Sequence, residues 1–141
     1  MRVMGLDYGE QTVGVAISDA TMTLATPLEI IRRDRENALR ETLRRIEELC
    51  RIHEVSTIVL GLPLHLDGGM SDRAEKTLAF RDKLTARLQI PVTMQDERLT
   101  SVEAEERLRE EGIPKKDWKK DIDRIAAAII LQDYLNGKTD L

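Results

Sequence analysis

Three acidic residues stand where a carboxylate could do chemistry: Asp7, Glu97 and Asp123. Asp7 ends the apolar run Val3-Met4-Gly5-Leu6-Asp7-Tyr8-Gly9, and a second run, Val13-Gly14-Val15-Ala16-Ile17-Ser18, follows closely. The pattern is a hairpin that presents one carboxylate flanked by Gly5, Gly9 and Gly14, and glycine lets backbone and ligand approach where a side chain would collide. Glu97 leaves the carboxyl end of an alternating strand, Val92–Glu97. Asp123 begins the last helix, whose small Ala126, Ala127 and Ala128 would let it approach a sheet closely. Three carboxylates brought together repel strongly unless divalent cations neutralise them, so convergence implies magnesium or manganese completed by water and substrate oxygens. Two such ions about 3.5–4 Å apart activate a water and stabilise a leaving oxygen, which is the chemistry of phosphodiester hydrolysis.

Each acid also has a plainer reading. Asp7 could open a turn, Asp123 could cap its helix, and Glu97 could pair on the surface with its neighbour Arg98. Asp96 falls on the other side of the strand by the two-residue period, so Glu97 is the acid expected to face the site. Asp19, Asp67 and Asp121 lie near element ends and read as turn or cap residues, with Asp121 the least secure exclusion. His53 reads as a helix-end residue; His65, in the loop after the fourth strand, is close enough to the site to leave a phosphate contact open. Cys50, Met94 and Trp118 read as packing residues, with Trp118 also a candidate contact in a basic segment.

The elements that must position these acids follow from periodicity. After the hairpin, Leu24 to Ile31 forms a third strand, and Pro27 within it points to an edge or a bulge. From Asp34, a candidate N-cap, Leu39, Leu43, Ile46 and Cys50 recur at helical spacing. Thr57-Ile58-Val59-Leu60-Gly61 is the pattern of a parallel strand buried on both faces. A second helix carries Ala74, Leu78, Leu84 and Leu88 and ends before Pro91, which opens the fifth strand. Thr100 with Glu103 makes a capping box for a third helix reaching Gly112. A basic loop follows Pro114, and the last helix runs from about Asp121 to Leu135 with Ile122, Ile125, Ala126, Ile129 and Ile130 as its stripe. The order β-β-β-α-β-α-β-α-α joins a three-stranded antiparallel meander to two strands that helical crossovers make parallel. That is an α/β fold with a mixed five-stranded sheet covered by helices, the arrangement of the ribonuclease H fold. No repeat, low-complexity tract or linker interrupts residues 1–141, which read as a single domain.

Composition narrows the setting. A chain of 141 residues hides roughly 68–70% of its unfolded surface and needs no staple. The single cysteine, Cys50, excludes an internal disulfide and a thiol zinc site, which favours a reducing compartment and oxygen ligands for any metal. The longest apolar run, Ile125 to Leu131, is too short to span a bilayer, and no basic-apolar leader opens the chain, so a cytoplasmic protein with no membrane partner is expected. The net charge of −4 argues against a coat for nucleic acid but not against a local patch. Lys115, Lys116, Lys119, Lys120 and Arg124 crowd one segment that could hold a phosphate backbone, or could be an ordinary solvated surface.

These residues resemble a known family. Gly5-Leu6-Asp7-Tyr8-Gly9 with Val13 to Asp19, Val59-Leu60-Gly61-Leu62-Pro63-Leu64 with Asp67-Gly68, Asp96-Glu97-Arg98-Leu99-Thr100, and Asp123 with Ala126-Ala127 and Ile130-Leu131 look like the four signature blocks of the YqgF family. Its members are described as pre-16S rRNA nucleases, formerly as Holliday junction resolvases, with the ribonuclease H fold shared with the RuvC resolvases. The resemblance implies that Asp7, Glu97 and Asp123 hold Mg2+ or Mn2+, and that Arg98 and Thr100 belong to the motif around the second acid. One departure is Gln11-Thr12, where many members carry a basic residue.

The leading expectation is therefore a metal-dependent endonuclease acting on precursor rRNA at the 5′ end of pre-16S rRNA, with ribosomal particles as candidate partners. Arg98, Thr100, Lys119, Lys120 and Arg124 are its expected substrate contacts. One alternative is resolution of branched DNA by a homodimer, because a four-way junction needs paired sites. A second, from another class, is a non-catalytic RNA-binding ribosome assembly factor that keeps the acids as a relic. The block from Asp7 to Gly14 also resembles the first phosphate loop of actin-like ATPases and sugar kinases, but those bind ATP between two duplicated domains and this chain reads as one.

Overall fold

The structure is a computed structural model that describes residues 1–65, 67–97 and 100–137, with the side chains of Ser101 and Lys120 outside the description. The elements run β1 (Arg2–Tyr8), β2 (Thr12–Ser18), β3 (Ala25–Arg32), α1 (Arg40–Ile52), β4 (Val55–Leu62), α2 (Asp72–Leu88), β5 (Val92–Asp96), α3 (Thr100–Glu110), a 3-10 turn (Lys115–Asp117) and α4 (Trp118–Leu135). The five strands form one sheet in the order β3-β2-β1-β4-β5. β1 and β2 pair antiparallel, as do β2 and β3, whereas β4 lies parallel to both β1 and β5. The sheet is the mixed one expected: three antiparallel strands and two parallel ones, with four helices.

Strand alternation sorts the side chains to two faces. Met4, Leu6, Val13, Val15, Ile58 and Leu60 point to one layer, where α1 supplies Leu43, Ile46 and Leu49 and α2 supplies Phe80 and Leu84. Val3, Ala16 and Val59 point to the other, which α4 covers with Ala127, Ala128, Ile130 and Leu131. The far side of α4 carries Ile125, Ala126 and Ile129 against Ala104 and Leu108 of α3. α4 is thus buried on both sides, which accounts for the continuous apolar run from Ile125 to Leu131.

Small residues let α4 sit unusually close to the sheet. A Cβ on Gly5 would lie 2.7 Å from Leu131 Cβ, and one on Gly14 would lie 2.0 Å from the carbonyl oxygen of Asp123. At the outer edge, β3 pairs Ala16 with Pro27, and the register shifts between Val15 and Ala16, the bulge that the proline implied.

Two local expectations are corrected. Asp34 does not cap α1, which begins at Arg40 with Leu39 at its N-cap and no side-chain cap bond. The reason is that the chain after β3 is first tied down by Arg33, which is buried and donates to the carbonyls of Glu36 and Gly9. The segment read as a basic loop is helical: the 3-10 turn passes directly into α4 at Trp118, one turn earlier than expected. Trp118 explains this, since its indole Nε1 donates to the Ile113 carbonyl at 2.9 Å and its ring packs beside α3. Among the described residues, no helix is long and apolar enough to cross a membrane.

Candidate active site

Asp7 is the penultimate residue of β1, directly opposite Gly14 of β2. Cross-strand partners share a face, so the Asp7 carboxylate lies on the α4 side. Because nothing but hydrogen occupies the side-chain position of Gly14, the backbone of α4 at Asp123 rests there. Asp123 is consequently in the second turn of α4 and is not a cap. Its Oδ2 accepts a 2.5 Å hydrogen bond from the Thr12 hydroxyl, across 111 residues of sequence.

Glu97 arrives from the opposite side. It lies just past β5, with its N–H donating to the Leu62 carbonyl at 3.1 Å at the end of β4. Its carboxyl lies over Gly61, where a Cβ would be 2.9 Å from Cδ and 3.0 Å from Oε2. Gly5 pairs with Val59 and Leu6 with Leu60, so Gly61 is level with Asp7, and the carboxyls of Asp7 and Glu97 come close enough for each to shift the other's titration. Two carboxyls this close are relieved by a proton between them or by a cation.

The electrostatics agree with that geometry. Burial, and then the charge of Asp123, raise the Asp7 carboxyl from its ordinary 3.8 to about 7, against opposing effects from Glu97 and Arg73. Glu97 is also held well above its ordinary range, first by burial and then by Asp7, Asp96 and Asp123. The pair is charge-starved. Among the described residues, no three His, Cys, Asp or Glu side chains are gathered into a set that could hold a metal ion together. Asp7 and Glu97 meet, and Asp123 stands beside them with one oxygen turned to Thr12.

The donor set nonetheless suits a hard divalent cation. All its atoms are oxygens, and a buried carboxyl pair whose ionisation is disfavoured would be relieved by a cation in place of a proton. Phosphodiester hydrolysis is the reaction such a site supports.

The expected substrate contacts scatter. Thr100 is buried at the first turn of α3, where its N–H donates to the Glu97 carbonyl at 3.1 Å, so it braces the chain behind the acid rather than facing solvent. Arg124 is paired with Asp121 one turn away. Lys119 is exposed and lines the cleft beside Asp123. Arg98 and the Lys120 side chain lie outside the described residues. Asp19 and Asp67 hold turns, the first through Thr23 N–H and the second through Gly69 N–H, both at 2.8 Å. The His65 N–H donates to the Gly69 carbonyl within the same loop. Burial pushes the Cys50 thiol up to about 11, which makes it an inert packing residue.

Sequence reasoning missed Thr12, Arg33 and Arg73. Arg33 and Arg73 lie 4.8 and 5.2 Å from the ring centroid of Tyr8, and Arg73 pairs with Glu36 while its positive charge favours ionised Asp7. Tyr8 itself stacks on Phe80 at 4.3 Å. The available signal was weak: both arginines sit at element ends, among many other charged residues.

Comparison with known proteins agrees with the fold. The RuvC of Thermus thermophilus, in complex with Holliday junction substrate, superposes with a TM-score of 0.56 at 16% identity, covering 99% of this chain and 96% of that one. The fowlpox virus Holliday junction resolvase gives 0.58 at 16% identity over 98% and 99%. At sequence level, a protein of Agathobacter rectalis named "Putative pre-16S rRNA nuclease" is 45% identical over 136 residues, 96% of this chain and 95% of its own. A protein of Halothermothrix orenii bearing the same name is 45% identical over 141 residues, 100% and 99% of the two chains. The model of the RuvX (YqgF) family, described as Holliday junction resolvase, matches residues 1–137. A match of that extent, with relatives this similar along their whole length, means that the chain belongs to the RuvX family, and with it to the hydrolases of phosphodiester bonds.

Proposed function

We propose that this chain, acting as one domain, is a divalent-metal-dependent endonuclease of the cytoplasm that processes the 5′ end of pre-16S rRNA on ribosomal particles. The observation that carries this reading is the convergence of the Asp7 and Glu97 carboxyls, buried at the sheet end with Asp123 beside them. Asp7, Glu97 and Asp123 would hold Mg2+ or Mn2+. When bound, such ions supply an activated water and charge for the leaving oxygen. The chain's own residues do the rest. Asp7 and Glu97 would ionise as they took up the cation, Thr12 would orient the Asp123 carboxylate through its hydroxyl, and Lys119 with Lys120, Arg98 and Arg124 would attract the substrate backbone. The name shared by the relatives supplies the choice of RNA.

The test is Asp7→Asn, which keeps size and removes a ligand charge. We expect the variant to fold and to bind a transcript spanning the pre-16S 5′ end, while magnesium-dependent cleavage falls by at least about 100-fold. Cleavage at the parent rate would remove Asp7 from the mechanism, whereas parent protein that binds the transcript without cleaving it would leave the assembly-factor reading. The description of the matching family favours a second reading, resolution of four-way DNA junctions by two copies.

A further inference from the structure

Beyond the acids, a cleft of 710 Å3 opens between the β1–β2 turn, the end of β3 and the start of α4, lined by Thr12, Arg32, Arg33, Lys119 and Asp123 among others. Its buried wall is Arg33, which is only 8% exposed. Two of its nitrogens are used: Nε donates to the Glu36 carbonyl at 3.1 Å and Nη2 to the Gly9 carbonyl. Nη1 is buried without an acceptor. A buried donor left unsatisfied is costly, so an acceptor that reached it would be stabilising. Further out, Arg32 and Lys119 are exposed on two different elements, and among the described residues neither is ion-paired. Glu10 and Asp34 also line the cleft, both exposed to solvent.

We propose that this cleft binds a backbone phosphate of the nucleic acid adjoining the one that reacts, with Arg33 as the fixed buried donor and Arg32 and Lys119 as the outer charges. The inference rests on the nuclease reading and adds the direction of the strand. Asp123 and Thr12 are shared by the acid cluster and the cleft, so a strand with its reacting phosphate at Asp7 and Glu97 leaves past Asp123 toward β3. Guanidinium suits the task because it keeps its charge when buried and can donate from Nη1 while Nε and Nη2 hold it to the backbone. Cations placed on β3 and α4 fix the strand between two elements that the sheet holds rigidly.

The test is binding of a fluorescent single-stranded RNA oligonucleotide, with calcium in place of magnesium to prevent cleavage, followed from low to moderate salt. We expect Arg32→Gln and Lys119→Gln each to reduce the slope of log affinity against log salt by about 0.7, and the double variant by about 1.4. Lys83→Gln, on the exposed side of α2 across the sheet, keeps the parent slope. A double variant with the parent slope overturns the proposal. Arg33→Lys removes the Nη1 donor: a folded variant should bind more weakly, and folded protein with undiminished affinity also overturns it. Because Arg33 braces the backbone, circular dichroism establishes folding first, and the Arg32/Lys119 double variant decides if Arg33→Lys unfolds. Parent protein that neither binds nor cleaves RNA would sink the nuclease reading itself, whereas parent cleavage with an unchanged double variant would sink only the cleft.

Discussion

At the residue scale the carboxyl pair has a thermodynamic signature of its own. Asp7 titrates near 7 in the folded chain and at its ordinary 3.8 when exposed. A raised folded pKa contributes stability that is fully present below the unfolded value and is lost as pH rises through the folded one. Glu97 is shifted in the same direction. Asp19 and Glu36 are lowered instead, so their stabilisation is already complete above about pH 5 and does not mask the effect. In EDTA, urea unfolding should therefore show the chain losing on the order of 2–4 kcal/mol between pH 5 and pH 8. Magnesium should restore much of this at the upper end. Flat or rising stability over that range would mean that the two carboxyls do not share a buried site. The placement of Asp7 and Glu97 at strand ends was legible in the sequence, whereas Asp123, read as the start of α4, lies in its second turn. Thr12 and Arg33 were not legible, because their partners, Asp123 and Gly9, lie 111 and 24 residues away and nothing local marks them.

At the element scale the site depends on how closely α4 approaches the hairpin. Gly14→Ala would place a methyl group 2.0 Å from the Asp123 carbonyl oxygen, a contact that only backbone movement can relieve. We expect it to destabilise the chain by about 1–3 kcal/mol in chemical denaturation, and to cut cleavage more than binding by lifting Asp123 from Asp7. Parent stability in this variant would show that α4 is not seated on β2 there. The strands and the two layers were readable from alternation and from the alanines of α4. Two boundaries were not. Asp34 looks like a cap, but the anchoring of Arg33 postpones α1 to Arg40; the lysines after Pro114 look like a loop, but Trp118 docks and starts α4 early. In both cases the anchoring of a side chain to a backbone carbonyl outweighed propensity.

At the scale of the whole molecule, the net charge of −4 makes nucleic-acid binding a matter of one local track, not general attraction. Stoichiometry then separates the two substrates. Light scattering should find one copy on a precursor RNA, with a single incision. Two copies on a four-way junction with symmetric paired cuts would replace the RNA reading with the resolvase one. Any such pairing has one route made difficult. The outer strand β3 carries Pro27, which lacks an N–H, beside a register shift that twists the strand. A neighbour trying to extend the sheet there would meet an incomplete hydrogen-bonding template, so this border resists the addition of a further strand.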